Sequence, residues 1–185
     1  MNNNSIDDDQ APWYSIKLFS PKLTAIRDWA TEKGLEHFVP MEYADILDHE
    51  NHRRRVLRPI VHNLLFVKKT MTENEFKAIV STSPYPMSVF RKDRDSREYY
   101  EISAKEMREF RIMCNPEIEL RKYLSEEEAE LKAGTPVFVK YGPLKGLSGK
   151  LVRANKKYFL MKEVPGMAVM LKVARWCCTP LLDTK

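Results

Sequence analysis

Basic side chains are concentrated in one short stretch of the first half of the chain, where they could bind phosphate groups. The arginines of this stretch are Arg53, Arg54, Arg55 and Arg58. A guanidinium group can donate two parallel hydrogen bonds to the oxygens of one phosphate, so the stretch predicts contact with DNA or RNA. A solvated hairpin tip is the alternative interpretation. His49 and His52 have a spacing that a metal ion could use, but no Cys or further His lies nearby, which argues against zinc.

A second basic group lies in the last third of the chain. Residues 132–185 contain 11 Lys or Arg against Glu163 and Asp183, a formal charge of +9, whereas the whole chain carries +5. Exposed lysines attract phosphate backbones through counterion release and do not read bases. Solubility of a small domain is the alternative explanation of this charge. The candidate nucleic-acid contacts here are Lys145, Lys150, Lys156 and Lys157.

The chain lacks a residue pattern for catalysis. Residues 142–150 are rich in glycine, but Leu151 stands where a phosphate-binding loop needs Ser or Thr after its Lys. The sequence has neither a nucleophile elbow nor an HExxH motif. Cys114, Cys177 and Cys178 have no metal-binding spacing, so we expect reduced thiols. We therefore predict a binding protein without catalytic residues, metal or cofactor.

The elements that would position the arginines follow from hydrophobic periodicity and helix caps. We predict strands at 13–19, 36–47, 59–68 and 87–91, a turn at 48–55, and helices that begin at Ser20, Thr72 and Ser103. Glu75 and Glu106 complete capping boxes with Thr72 and Ser103. This order predicts an α+β domain in which helices cover a mainly antiparallel sheet.

The basic residues of the last third of the chain lie on predicted short strands that are joined by tight turns. Val137 and Val139 share one face of a strand, and the glycines between 142 and 149 supply a turn. Further strands are predicted at 150–154, 157–163 and 168–174. This pattern predicts a small barrel of about five strands. The charge-rich residues 115–131 are interpreted as a solvated linker with some helix.

The start of the chain is polar and acidic, with Asp7, Asp8 and Asp9. It lacks the basic and apolar regions of a secretory signal, and no transmembrane run follows. We therefore expect a disordered acidic tail over 1–11 and a cytoplasmic, monomeric protein without membrane contact. The remaining organisation is a first domain at 12–114, a linker at 115–131 and a second domain at 132–185.

The chain resembles the NusG family of transcription elongation and antitermination factors. Gly134, Gly142-Pro143, Gly146 and Gly149 have the spacing of the KOW module, an SH3-like β-barrel. Trp13-Tyr14 and Phe38-Val39-Pro40 are similar to patterns of the family's N-terminal (NGN) domain. Residues 59–67 are similar to a strand of RfaH-type antiterminators. The resemblance implies an NGN domain at 12–114 and a KOW domain at 132–185, in a specialised paralogue of RfaH or UpxY type.

This resemblance implies a factor that binds RNA polymerase across its clamp and makes pausing or termination rarer, for example in a polysaccharide operon. Family members bind the clamp helices of the largest catalytic subunit and reach the gate loop opposite. The implied contacts are Tyr14, Leu64, Phe66, Glu75 and Lys77. We expect Tyr14, Leu64 and Phe66 to form one exposed apolar patch. Ordinary core is the alternative interpretation for Trp13, Phe38, Leu65 and Val67.

The resemblance also implies nucleic-acid and recruiting contacts. Relatives that read the displaced non-template DNA strand use the first helix, where Lys22 and Arg27 are available. The arginine stretch would touch upstream DNA or nascent RNA. The KOW loop that recruits a ribosomal protein or the termination factor Rho corresponds to Val164, Pro165 and Met167, without the family's aromatic residue. The alternative function is a ribosome-associated or other RNA-binding KOW protein.

Overall fold

A computed structural model describes residues 10–118 and 121–181. Contacts divide the chain into two compact units, Met1–Met107 and Arg108–Lys185, here called the N-terminal and the C-terminal unit. The acidic tail predicted at 1–11 lies outside the described residues except for Gln10 and Ala11.

The N-terminal unit contains an antiparallel sheet and helices. Its elements are β1 (Trp13–Leu18), α1 (Leu23–Glu32), β2 (His37–Phe38), β3 (Met41–Leu47), β4 (Arg53–Pro59), β5 (Leu64–Lys68), α2 (Glu73–Ser81), β6 (Met87–Val89) and the start of α3 (Ala104–Met113). The strand order is β2-β5-β1-β6, and β3 and β4 form a separate two-stranded sheet. The α+β prediction is confirmed.

The helices form because their apolar residues recur on one side. In α1, the side chains of Leu23, Ile26, Trp29 and Ala30 are buried, and this spacing places them on a single helical face. They belong to one apolar core with strand residues of β1 and β5 and with Phe76 of α2. The capping boxes predicted for α2 and α3 are present.

The arginine stretch lies on a strand, where the sequence predicted a turn. The predicted strand at 36–47 is divided at Val39-Pro40 into β2 and β3, and β4 begins at Arg53. The turn between β3 and β4 is shorter than predicted because Asp48 closes it: its Oδ1 accepts hydrogen bonds from the backbone N of Glu50 and of His52, both at 2.9 Å.

The C-terminal unit contains a six-stranded antiparallel sheet. After the end of α3 come β7 (Arg121–Ser125), α4 (Glu126–Glu130), β8 (Gly134–Val139), β9 (Ser148–Ala154), β10 (Lys157–Val164), β11 (Met167–Lys172), a 3₁₀ turn (Arg175–Cys177) and β12 (Cys178–Pro180). The order is β12-β8-β9-β10-β11-β7. Residues of β9, β10 and β11 form its apolar core together with Ala129.

The segment expected to be a solvated linker contributes a strand and a helix to this unit. β7 pairs with β11 from Met167 opposite Ser125 to Leu171 opposite Arg121, and Ala129 of α4 is 3% exposed. The many charged residues of this segment made the strand β7 hard to recognise in the sequence. Leu124 contacts the core, and Lys122 extends its Nζ to 5.4 Å from the centre of the Phe159 ring, because a lysine stem can cover apolar surface. The pairing of β7 corrects the expectation of a solvated linker for residues 121–125, whereas some helix was expected in this segment and α4 is a helix.

Candidate functional site

The three residues expected to form an exposed apolar patch are buried. Tyr14 and Phe66 are 0% exposed and Leu64 is 3% exposed. In the pairing of β1 with β5, Tyr14 lies opposite Val67 and Lys17 lies opposite Leu64. Opposite residues share a face and successive residues alternate, so Tyr14 lies on the other face of the sheet from Leu64 and Phe66. Burial and register together correct the expectation of one continuous surface patch.

Tyr14 is a core residue between the sheet and α2. Its ring centre is 4.8 Å from that of Phe76 and 5.5 Å from that of Tyr99. Burial raises the pKa of Tyr14, and the nearby Lys69 ammonium opposes this effect. Trp13, Leu65 and Val67, for which core was the alternative interpretation, are also buried. Phe38 is half-buried.

Both α2 residues that were expected to contact polymerase have partners within their own unit. The Glu75 carboxylate accepts hydrogen bonds from the backbone N and the Oγ1 of Thr72, at 2.8 and 2.7 Å, and these bonds lower the pKa of Glu75. Lys77 forms an ion pair with Glu73 and donates a hydrogen bond to the Arg97 carbonyl at 3.0 Å. The geometry assigns both side chains a role in stabilising α2.

The antiparallel pair of β3 and β4 carries the arginine stretch and is here called the arginine ribbon. Its register runs from Met41 opposite Pro59 to Leu47 opposite Arg53. Several of its large apolar side chains are exposed, an unusual arrangement for a strand pair. Their exposed fractions are 37% for Tyr43, 43% for Ile46, 64% for Leu47 and 47% for Leu57.

The two faces of the arginine ribbon differ in their cations. Arg53 and Arg55 lie on the face of Tyr43, and the Arg55 guanidinium is 4.3 Å from the centre of the Tyr43 ring. Arg54 lies on the opposite face beside Ile46. Arg58 donates two hydrogen bonds to Glu42 Oε1, at 3.2 and 3.0 Å. The structure therefore brings Arg53 and Arg55 together and separates Arg54 from them.

Sequence reasoning missed the exposed apolar residues of the ribbon. The local signal was weak: Glu42 and Asp45 interrupt the apolar residues of β3, but the strand does not alternate strictly between apolar and polar residues. An aromatic ring next to a guanidinium group can stack on a base while the cation approaches a phosphate. The arginine ribbon is thus a candidate nucleic-acid interface of the N-terminal unit.

The remaining candidate cations are distributed over both units. Lys22 and Arg27 are exposed at the start of α1 and along it. In the C-terminal unit, Lys145 is exposed in the turn after β8, and Lys156 and Lys157 are exposed at the turn between β9 and β10. Lys150 Nζ is 2.9 Å from Glu163 Oε1. Within the part of the chain that the structure describes, Lys150 is the one of these four lysines with a neighbouring carboxylate.

The predicted recruiting loop is a tight turn with mostly buried side chains. It joins β10 to β11 through Pro165 and Gly166. Val164 is 7% exposed and Met167 is 2% exposed. Only Pro165 of the three predicted loop residues reaches the surface in part.

The described residues contain no group of three or more His, Cys, Asp or Glu side chains that could hold a metal ion. Within the same residues, no helix has both the length and the apolar character that crossing a bilayer requires.

Comparisons with known proteins place the N-terminal part of the chain in a family. A search of curated proteins found no match. Residues 11–111 match the family model described as NusG, transcription termination factor nusG. The matched range covers more than half of the chain and includes the four-stranded sheet and the arginine ribbon. This chain belongs to the NusG family.

Proposed function

We propose that this protein is a transcription elongation or antitermination factor that binds RNA polymerase and reduces pausing or termination. The observation that carries the proposal is the family match over residues 11–111, on a fold with the expected sheet, helices and capping boxes. Within this proposal, the N-terminal unit binds the clamp helices of the largest polymerase subunit. The protein acts in the cytoplasm as a monomer, in the manner of a specialised RfaH or UpxY paralogue with a polysaccharide operon as target.

We assign the nucleic-acid contact of this factor to the arginine ribbon. Arg53 and Arg55 lie on one exposed face with Tyr43. Upstream DNA or nascent RNA beside the polymerase presents a phosphate backbone, which these cations attract. The nucleic-acid contact proposed on the ribbon does not involve Tyr14, Leu64 or Phe66, which are buried.

We further propose that residues 132–185 of the C-terminal unit form a KOW domain. Gly142 has φ +86° at the turn that carries the KOW spacing, a conformation that favours glycine. At Gly149, a Cβ would lie 2.5 Å from the Met161 carbonyl oxygen, so this position also requires glycine. Both observations give physical reasons for the glycine spacing of the motif.

Transcription by purified RNA polymerase through a pause site and an intrinsic terminator tests the proposal. We expect the wild-type protein to bind polymerase and to increase read-through. Arg53→Glu with Arg55→Glu should keep the fold and lower read-through, whereas Arg94→Glu with Lys105→Glu, an equal charge change at exposed positions of the same unit, should not. A wild-type protein that neither binds polymerase nor changes pausing would overturn it.

A second candidate function is supported by the charge of the last third of the chain. Residues 132–185 carry 11 Lys or Arg against two acidic residues, as expected for a ribosome-associated or other RNA-binding KOW protein. Cosedimentation of the intact protein with ribosomes at moderate salt, combined with no polymerase binding, would favour this function.

A further inference from the structure

An aromatic pair stands on the surface of the C-terminal unit. Tyr141 follows β8, and Trp176 lies in the 3₁₀ turn before β12. Their ring centres are 6.2 Å apart and their planes differ by 28°, a stacked arrangement. Tyr141 is 59% exposed and Trp176 is 76% exposed. Large aromatic side chains usually bury most of their surface, so a pair at this exposure requires an explanation.

The backbone holds this pair in place. β12 pairs with β8, with Cys178 opposite Val139, and the pairing continues because Lys140 N donates to the Cys177 carbonyl at 2.8 Å. Tyr141 and Trp176 are the next residues along these two paired segments. Cys177 is buried and anchors the turn, so the ring of its neighbour Trp176 is presented to solvent from a fixed backbone.

Cations flank both members of the pair in the sequence. Lys140 and Arg175 are exposed and directly adjacent to Tyr141 and Trp176. The guanidinium carbons of Arg175 and Arg153 both lie 5.8 Å from the centre of the Tyr158 ring.

Acidic groups are scarce in this part of the chain. Among the described residues 132–181, ten are Lys or Arg and one, Glu163, is acidic. Glu163 is bonded to Lys150, so the region is complementary in charge to a polyanion.

We propose that Tyr141 and Trp176 form a stacking platform for the bases of single-stranded nucleic acid, with Arg175 and Lys140 binding its backbone. Unpaired bases have exposed π-faces that stack on aromatic rings, and their phosphates attract the flanking cations. A duplex buries these π-faces, so it lacks the feature that the rings recognise. A protein partner with an acidic surface would match the cations, but it would not require two exposed rings in a stacked arrangement.

The platform is separate from the lysines that the sequence predicts to bind phosphates without reading bases. It does not depend on polymerase binding, because the platform is contained in the C-terminal unit. The two contributions also differ in salt dependence: stacking contributes affinity that salt changes little, whereas each phosphate contact adds to the salt slope.

The test uses the intact protein and a fluorescein-labelled oligouridine of about ten nucleotides, within the range of site sizes for single-strand binding folds. An oligothymidine and a duplex of the same length serve for comparison. Fluorescence anisotropy measures Kd at several salt concentrations. Because Trp13 is 4% and Trp29 is 7% exposed, quenching of tryptophan emission by the oligonucleotide reports mainly on Trp176.

We expect both single strands to bind more tightly than the duplex and to quench the emission. Trp176→Ala should weaken single-strand binding about tenfold with an unchanged salt slope, and Trp176→Phe should restore part of it. Arg175→Gln should lower the slope by about 1. Tyr100→Ala, at a partly exposed aromatic of the N-terminal unit, is the matched control and should bind like the wild type.

Two results would overturn the proposal. One is binding by the Trp176→Ala, Tyr141→Ala double variant within twofold of the wild type. The other is a duplex affinity equal to that for single strands without tryptophan quenching. The double variant changes two exposed side chains, so circular dichroism should show an unchanged fold. Polymerase binding by the double variant, measured in parallel, separates this site from the proposed function.

Discussion

Lys162 and Glu109 form a buried ion pair in the C-terminal unit, joining β10 to the end of α3. The exposed fractions are 8% for Lys162 and 5% for Glu109. Ser148 Oγ lies 3.1 and 2.9 Å from the two carboxylate oxygens, and Ser148 N donates at 3.3 Å. The carboxylate therefore has several donors that compensate for its loss of water.

Removing one member of this pair should be costly. Lys162→Met leaves the Glu109 carboxylate buried without its cation, and we expect a loss of about 3–5 kcal/mol in unfolding free energy. Lys162→Met combined with Glu109→Met should recover much of this loss, because no buried charge remains. Urea unfolding followed by circular dichroism measures the three proteins. Equal stability of the single variant and the wild type would show that the pair is solvated in solution.

Phe66→Asp should unfold the N-terminal unit, because it places a carboxylate at a fully buried position. We expect a cost of several kcal/mol from the unpaired charge. The measurement is thermal unfolding by circular dichroism, with Phe19→Asp as control, since Phe19 is 60% exposed. A folded Phe66→Asp protein with lost polymerase binding would instead restore the surface role expected from the sequence.

The capping box of α2 should make stability depend on pH. Hydrogen bonds from Thr72 hold the pKa of Glu75 below its ordinary value of 4.5. The stabilisation is therefore present above pH 4.5 and is lost as the pH falls through the lower pKa of the folded state. Glu75→Gln should lower the Tm at neutral pH and make little difference in strong acid. Glu32→Gln, at the exposed end of α1, is the control. A Tm difference between Glu75→Gln and the wild type that persists in strong acid would contradict the prediction.

Substitutions on the two faces of the arginine ribbon should have different effects on the salt dependence of nucleic-acid binding. Arg53→Gln with Arg55→Gln removes two cations from one face, and we expect the slope of log Kd against log salt to fall by about 2 for nucleic acid bound there. Arg54→Gln, on the other face, should leave the slope nearly unchanged. Filter binding to single-stranded and duplex DNA provides the measurement. An equal effect of Arg54→Gln would mean that nucleic acid wraps both faces.

Cys114 should resist alkylation in the native protein. Burial raises the pKa of its thiol to about 12, so the reactive thiolate is nearly absent at neutral pH. We expect iodoacetamide to modify Cys114 only after unfolding, and to modify the partly exposed Cys178 earlier. Mass spectrometry of timed samples checks this order. Rapid native modification of Cys114 would indicate local opening of its surroundings.

The sequence predicted the helices of the N-terminal unit because their caps and apolar spacing are local features. Thr72 with Glu75 needs only four residues to form its box. Predicting that Tyr14 and Phe66 lie on opposite faces needed the pairing register of β1 and β5, which depends on residues far apart in the chain. The aromatic pair had no local signal either, since Tyr141 and Trp176 meet only through the pairing of β8 with β12.

The pairing of β7 with β11 determines where the C-terminal unit can be cut. A fragment that begins at residue 132 lacks β7 and leaves the hydrogen-bonding edge of β11 open. β11 is Met167–Lys172 with five buried residues in succession, and an apolar open edge invites pairing with a second copy. Such a fragment should aggregate, whereas one that begins before Arg121 keeps its own edge covered. The segment that looks like a tether in the sequence thus protects the sheet against self-association.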